Sequence, residues 1–505
     1  MFDVSKIFSF FKKNFNRKDI FLGLCLVALF FLSRIILLDK LPIFSDEGIY
    51  IHWARIAWHD ASWRFISLTD GRQPLQTWGT IPFLKLFPQN LLFGGRMFSV
   101  ATGFISLVGL FSLLFYIFGK KTAFWGIFLY IFTPFFLFYD RIALADSAVN
   151  AGFIWILFFS ILVIRTLRFD LTLLFGITAG MAMLTKSSVR LFIMLSAFAP
   201  ILIWNRKFGK NIISKTINYF ILFILVFAIA MVLYNIQRLS PFMHYIELKN
   251  NTFVMPISEF IKSPFAVIWP NLKLIFHYVF SEMGWLTGFL GIIGLVMLLK
   301  NDLSLGLYFS IWLLAPYFAI AGLSRVIFPR YLIFLATLLT IFSAYFLSNL
   351  KLKIVKLILL IMFISTSVFY AYGFYFNPSA IPFPEIDKGQ YVEGETAGWG
   401  AKEIMEFVRV KSKEKQVIIL AEGDYGLIGD VLNVFLKDDD RINIRGFWPL
   451  DEKTLFDNQK ELKENLVYVV FSQRKEFPTN WPIKLIKKYD KPGNRTAYYL
   501  FELTN

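Results

Sequence analysis

The chain of 505 residues is 57% A, V, I, L, M, F, W, Y or C, holds 60 Phe and is only 17% charged, against about 25% in soluble domains. Apolar runs of about 18 to 20 residues recur from residue 20 to residue 375, each long enough to cross about 30 Å of hydrocarbon, so a soluble or disordered chain is excluded and a polytopic membrane protein is predicted. The net charge of +17 reads first as loop orientation and attraction to anionic lipid headgroups, and no nucleic-acid partner is expected from it.

Lys6, Lys12, Lys13, Arg17 and Lys18 precede the first apolar run, Ile20 to about Leu38. No small-residue cleavage site follows, which predicts an uncleaved signal anchor with its N-terminus in the cytoplasm. Arg34, near the end of this run, is expected to snorkel. The single cysteine, Cys25, lies inside it, leaving no intrachain disulfide and no thiolate metal site. About eleven spans are predicted, near 20–38, 97–118, 122–139, 148–165, 171–185, 190–204, 217–234, 284–299, 305–322, 331–349 and 357–375. On that count one side receives the basic connections: Lys120 and Lys121; Arg165 and Arg168; Arg206, Lys207, Lys210 and Lys215; Lys300; Lys351, Lys353 and Lys356. The other side receives two long loops, 39–96 and 235–283, which carry Asp39, Asp46, Glu47, Asp60, Asp70, Glu247, Glu259 and Glu282.

The first long loop is the most informative stretch. Ser45, Asp46 and Glu47 open a segment in which Ile49, Trp53, Ile56 and Ala57 recur at helical spacing, predicting a helix along the membrane interface with Ser45 as its cap. Two readings of the acids stand side by side. Carboxylates in a first turn favour any helix N-terminus, and a carboxylate held at the membrane surface can also take a proton from a nucleophile or hold a metal. Adjacent residues do not share a helix face, so at most one of the two aims at a given reacting atom. Further outer connections place Asp140, Arg141 and Asp146, then Lys186, Ser187, Ser188 and Arg190, then Arg325 and Arg330 at the membrane boundary. Such charges are commonly just solvated, whereas cations converging from several loops would make a phosphate site.

From Asn377 the composition turns polar, and a second domain of about 130 residues is predicted to lie outside, joined by an extended linker with Pro378, Pro382 and Pro384. Strands are expected at 416–420 (QVIIL), 466–471 (LVYVVF) and 496–501 (TAYYLF), in a small α/β domain. His52, His59, His244 and His277 show no zinc-like spacing and read as structural. No P-loop, GxGxxG, GxSxG or HExxH occurs, which argues against nucleotide hydrolysis. Asn250-Asn251-Thr252 and Asn494-Arg495-Thr496 match the glycosylation triplet.

Taken in order, Asp46-Glu47, Asp70-Gly71-Arg72-Gln73-Pro74-Leu75, Gly95-Arg96, Arg141 to Asp146 and Gly180 to Lys186 resemble the GT-C glycosyltransferases of the protein O-mannosyltransferase and lipid A aminoarabinose transferase group, glycosyltransferase family thirty-nine. The resemblance covers about residues 20–350. It implies a fold in which residues 1–375 form a GT-C membrane domain of about eleven spans, with first outer loop 39–96, followed by an extracytoplasmic α/β domain at 376–505. It also implies an inverting transferase in the plasma membrane that moves a sugar from a polyprenyl phosphate donor to a hydroxyl of a protein, glycan or lipid at the outer face. In that family the first loop holds an Asp-Glu pair and a Lys-Pro-Pro-Leu-like segment; here Arg72 stands for the lysine and one proline is lost. The implied catalytic residues are Asp46, as general base, and Glu47. Arg72, Arg141, Lys186, Arg190, Arg325 and Arg330 would meet the donor phosphate at headgroup depth. Asp146 and Asp70 would orient the acceptor or, with Glu47, hold a divalent cation. The stretch 391–404 resembles prokaryotic members of the group rather than the eukaryotic β-trefoil enzymes. A transporter or lipid flippase is the alternative, marked by ionisable groups buried mid-span. A third reading is a non-catalytic scaffold that presents the C-terminal domain.

Overall fold

The computed structural model describes residues 13–204, 211–262, 265, 267–423 and 428–505. Lys6, Lys12, Arg206, Lys207 and Lys210 lie outside the described residues.

Each expected span falls on helix. Among the described residues, six helical stretches are long and apolar enough to cross a membrane: Leu91–Phe118, Asp146–Thr166, Ile212–Leu239, Leu303–Leu323, Pro329–Asn349 and Lys353–Tyr375. A seventh is the pair Ile268–Met283 and Trp285–Asn301 if it counts as one, bent by 112° at Gly284, whose φ of 84° suits glycine. The apolar helix Ile268–Met283 occupies what composition assigned to the second outer loop. The remaining expected spans are shorter apolar helices or, for Arg17–Ile35, a helix whose ends carry Arg17, Lys18, Asp19 and Arg34.

Small residues let these helices meet. A Cβ on Gly291 would stand 2.7 Å from the Leu339 carbonyl, and Gly294 sits against the backbone of Phe342, so Trp285–Asn301 lies close along Ile333–Asn349. Gly176 and Gly180 do the same toward Ile229 and Leu233. Asp146–Thr166 and Pro329–Asn349 form the buried centre, while Ile212–Leu239 and Lys353–Tyr375 turn most of their apolar surface outward, as lipid-facing helices do. At one end of the bundle Lys120 pairs with Asp19 at 2.7 Å and Lys121 donates to the Ser348 carbonyl.

Arg34 does not snorkel. It is fully buried and pairs with Asp140 at 3.3 Å, while its Nη1 donates to the Ile131 carbonyl. The pair lets two spans bury opposite charges without an uncompensated ion.

After the last span the chain passes through a 3₁₀ turn, Pro378–Ala380, and a short helix, Glu385–Lys388, so the linker is less extended than its prolines suggest. The C-terminal domain is a five-stranded sheet in the order β2-β1-β3-β5-β4, with β1 Val417–Glu422, β2 Ile442–Phe447, β3 Leu466–Phe471, β4 Ile483–Asp490 and β5 Ala497–Leu503. β1 runs parallel to β2 and β3, and β5 runs antiparallel to β3 and β4. The domain packs on the bundle's interfacial helix Ser45–His59: Gly48 meets Val431, His52 Nδ1 lies 2.6 Å from Asp430, and Arg55 pairs with Asp438 at 2.6 Å.

Candidate active site

The interfacial helix starts at Ser45, yet its cap is not the serine. Phe44 holds the N-cap position, and its N–H donates to Glu47 Oε2 at 3.0 Å. Asp46 and Glu47 then point apart and meet different surroundings, as adjacent helical positions must.

Glu47 is fully buried. Arg96 Nε donates to its Oε1 and Arg96 Nη2 to its Oε2, both at 2.8 Å, and the Ala143 N–H donates to Oε1 at 2.7 Å. Arg96 also donates to the carbonyls of Leu38, Leu41 and Pro42. Both Glu47 oxygens are thus engaged in tying the interfacial helix to the helix Leu91–Phe118 and to the loop before Asp146. Arg141 is likewise built into the scaffold: Nη1 donates to the carbonyls of Ser33, Arg34 and Ile36, and Nη2 to that of Leu37. It closes the C-terminal end of the helix Arg17–Ile35, where orphan carbonyls need donors.

Asp46 faces a different group. Arg72 Nη2 donates to Oδ1 at 2.9 Å and Arg330 Nη2 to Oδ2 at 3.0 Å. Arg72 Nε reaches Asp70 Oδ2 at 2.8 Å, and Lys249 holds the other Asp70 oxygen at 2.8 Å. Each partner arrives by local necessity. Arg72 follows the 3₁₀ turn Ile66–Asp70, which ends at Gly71 with φ 66°, packed under Tyr245 and Lys249. Arg330 sits in the 3₁₀ turn Pro329–Leu332, with its guanidinium over the rings of Phe44, Phe328 and Tyr331 at 5.3, 5.2 and 5.6 Å. Beside them Lys186 pairs with Asp146 at 2.6 Å and lies 4.2 Å from the centre of the Tyr331 ring. One helical turn beyond Asp46, Tyr50 lies 5.1 Å from the Arg72 guanidinium. Gln73 and Asn250 both donate to Ser187 Oγ, at 2.5 and 3.2 Å.

The group holds four cations, Arg72, Lys186, Lys249 and Arg330, against three carboxylates, Asp46, Asp70 and Asp146, a surplus of one positive charge. Burial alone would raise the Asp46 carboxyl, but Arg72 and Arg330 together hold it well below the ordinary carboxylate range. Burial raises the Tyr50 phenol, so that residue stays a neutral donor.

The structure therefore brings together Asp46, Asp70, Arg72, Asp146, Lys186 and Arg330, and separates the other expected residues from them. Arg325 pairs with Glu259 at 2.5 Å on the surface, and Arg190 stacks on Tyr234 at 4.6 Å. Lys249, which the sequence did not single out, completes the group; its one signal was its place in the second long outer loop. Asp46 has both oxygens on guanidinium groups and Asp70 both on cations, and among the described residues no three His, Cys, Asp or Glu side chains gather around a common point.

Residues 72–234 match the family model for dolichyl-phosphate-mannose-protein mannosyltransferases. The chain superposes on ArnT from Cupriavidus metallidurans, crystallised with undecaprenyl phosphate, with TM-score 0.59 and 13% identity over 95% of this chain and 97% of that one. The protein has the GT-C glycosyltransferase fold. The archaeal oligosaccharyltransferase AglB from Archaeoglobus fulgidus, in complex with an inhibitory peptide and a dolichol-phosphate, aligns with TM-score 0.54 and 12% identity over 91% of this chain and 69% of AglB. No curated protein matches the sequence. The six long apolar helices among the described residues suit a multi-pass membrane protein.

Proposed function

We propose that this GT-C protein transfers a sugar from a polyprenyl phosphate donor to an acceptor hydroxyl. The observation that carries the proposal is the convergence on one carboxylate, Asp46, of two guanidiniums from positions 72 and 330, in a group with a net surplus of one positive charge. An aspartate held so strongly ionised by two guanidiniums is a weak base. A phosphate monoester or diester with several oxygens is a better partner for the planar forks of Arg72 and Arg330 than a single carboxylate. When the lipid phosphate takes them, Asp46 loses the cations that depress its pKa and becomes the base the reaction needs.

The acceptor oxygen then attacks the anomeric carbon, its proton passes to Asp46, and the bond from that carbon to the phosphate oxygen breaks with its electron pair staying on the phosphate. A single displacement of this kind inverts the anomeric centre. The charge that develops on the departing phosphate falls on Arg72, Arg330 and Lys249, preorganised where it appears. Asp146 with Lys186, and Asp70, border the space and would orient the acceptor. Glu47 serves the reaction only through the fold. A lipid with a long isoprenoid tail has to enter from the bilayer, so this cluster belongs at headgroup depth on the side of the two long loops. The N-terminus and the end with Lys120 and Lys121 would face the cytoplasm, and the sheet domain the outside.

The test uses the full chain in lipid nanodiscs with a panel of labelled polyprenyl phosphate sugars and membrane extract as acceptor source, reading release of polyprenyl phosphate. Wild-type release with loss of roughly a hundredfold or more in folded Asp46→Asn supports the proposal. Equal release by the variant, or none by wild type across the panel, refutes it.

A further inference from the structure

The C-terminal domain reaches the candidate base through a short backbone clamp. The Ser45 N–H donates to the Thr396 carbonyl at 2.9 Å, the Gly398 N–H donates to the Ile43 carbonyl at 2.7 Å, and Phe44 and Ala397 form an antiparallel bridge. Residues 43–45 directly precede Asp46, and the Phe44 ring lies under the Arg330 guanidinium. Tyr391, from the same strap, packs edge-on against Phe44 at 4.8 Å. The start of the Asp46 helix and the seat of Arg330 are therefore set by the strap 389–398.

The strap in turn is gripped by the turn between β4 and β5. Lys491 is 1% exposed, and its Nζ donates to the carbonyls of Gly394 at 3.1 Å and Glu395 at 2.9 Å, lying 4.0 Å from the centre of the Tyr498 ring. Thr496 Oγ1 donates to the Glu393 carbonyl at 2.7 Å. Burying an ammonium is costly unless it is fully hydrogen-bonded, and burial pushes Lys491 down to about 7 with Glu395 opposing. A lysine placed there at such cost, on carbonyls one and two residues before the clamp, has a positional task.

We propose that Lys491 is a positioning residue for the transfer reaction, holding through the carbonyls of Gly394 and Glu395 the strap that sets the geometry of Asp46 and Arg330. The inference rests on the transferase reading of the Asp46 site. It makes the C-terminal domain a working part of that site, since the hairpin, the strap and the interfacial helix form one continuous linkage.

The test is on the full chain in nanodiscs, combining amide hydrogen exchange of residues 43–48 with turnover of the donor found active in the panel. Lys491→Met is expected to raise exchange at 43–48 about tenfold, to lower kcat roughly ten- to a hundredfold and to raise KM for the lipid donor as Arg330 shifts, with exchange in β1 and β3 unchanged. Lys491→Arg, which keeps N–H donors for the Gly394 and Glu395 carbonyls, is expected to restore both readouts to within about threefold of wild type. If exchange in β1 rises as well, Thr496→Val, which removes one neutral bond to the same strap, is measured in its place by the same criteria. Turnover by wild type with exchange at 43–48 or kcat unmoved in the variant overturns this role alone. A wild-type protein without turnover overturns the transferase reading and this role with it.

Discussion

Asp46→Asn should affect binding and turnover in opposite directions. Asp46, one-fifth exposed, occupies the forks of Arg72 and Arg330 at 2.9 and 3.0 Å, so it competes with any phosphate for them. An exposed ion pair contributes about 0.2–1 kcal/mol and a buried one more. Two pairs at intermediate depth together oppose phosphate binding by about 1–2 kcal/mol, which corresponds to roughly 5- to 30-fold in Kd. Asparagine cannot offer a charge to either arginine and cannot accept the acceptor's proton. The variant is therefore expected to bind undecaprenyl phosphate 5- to 30-fold more tightly, by about that estimate, while losing turnover by roughly two orders of magnitude or more. Equilibrium binding of labelled undecaprenyl phosphate to nanodisc-embedded protein measures the first effect and release of polyprenyl phosphate the second. Binding that is unchanged or weaker in the folded variant refutes the idea that carboxylate and phosphate exchange on the same guanidiniums.

Glu47→Gln should behave as a folding variant: it leaves the buried Arg96 guanidinium without its counter-ion, at about 3–5 kcal/mol, so a large fall in thermal midpoint is expected, and a fully stable but inactive protein contradicts the scaffold role. Gly71→Ala forces a side chain into φ 66° beneath Lys249, costing about 1–2 kcal/mol in the backbone alone, and should separate Asp70 from Lys249; turnover is expected to fall more than the thermal midpoint, and the reverse order argues against Gly71 as the pivot. Asp387 is fully buried, accepts from Tyr139 at 2.5 Å and contacts the Glu282 carboxyl. Burial raises it from 3.8 to about 7, so the folded state binds this proton more tightly than the unfolded chain. Its stabilising contribution is complete below about pH 4 and is lost as pH rises through about 7. Thermal midpoints at pH 5 and pH 8 should differ less in Asp387→Asn than in wild type, and identical pH dependence in both contradicts the assignment.

The sheet shows where sequence signals work and where they stop. The three strands legible as apolar runs, β1, β3 and β5, are the central ones, buried along most of their length. The two that were not legible, β2 (INIRGF) and β4 (IKLIKKYD), are the edges, interrupted by charge as edge strands commonly are. The spans were legible because lipid demands continuous apolar helix, whereas Ile268–Met283 was not, since it carries Asn271, Lys273 and Glu282. In the site, Asp46 and Arg72 could be read from the first loop, but the division of labour between Asp46 and Glu47 could not. That division depends on Arg96, Ala143 and Arg330, up to 284 positions away. Arg141 and Lys186 look alike as loop cations; only the fold shows one spent on helix carbonyls and the other beside Asp146.

The central claim is that a lipid phosphate displaces Asp46 from Arg72 and Arg330. The most direct measurement is a structure of the nanodisc-embedded protein with undecaprenyl phosphate bound. The account predicts the phosphate within salt-bridge distance of Arg72 and Arg330, with the Asp46 carboxylate released and open to the acceptor side. A phosphate seated instead at Arg190 or Arg325, with both pairs on Asp46 intact, would contradict it.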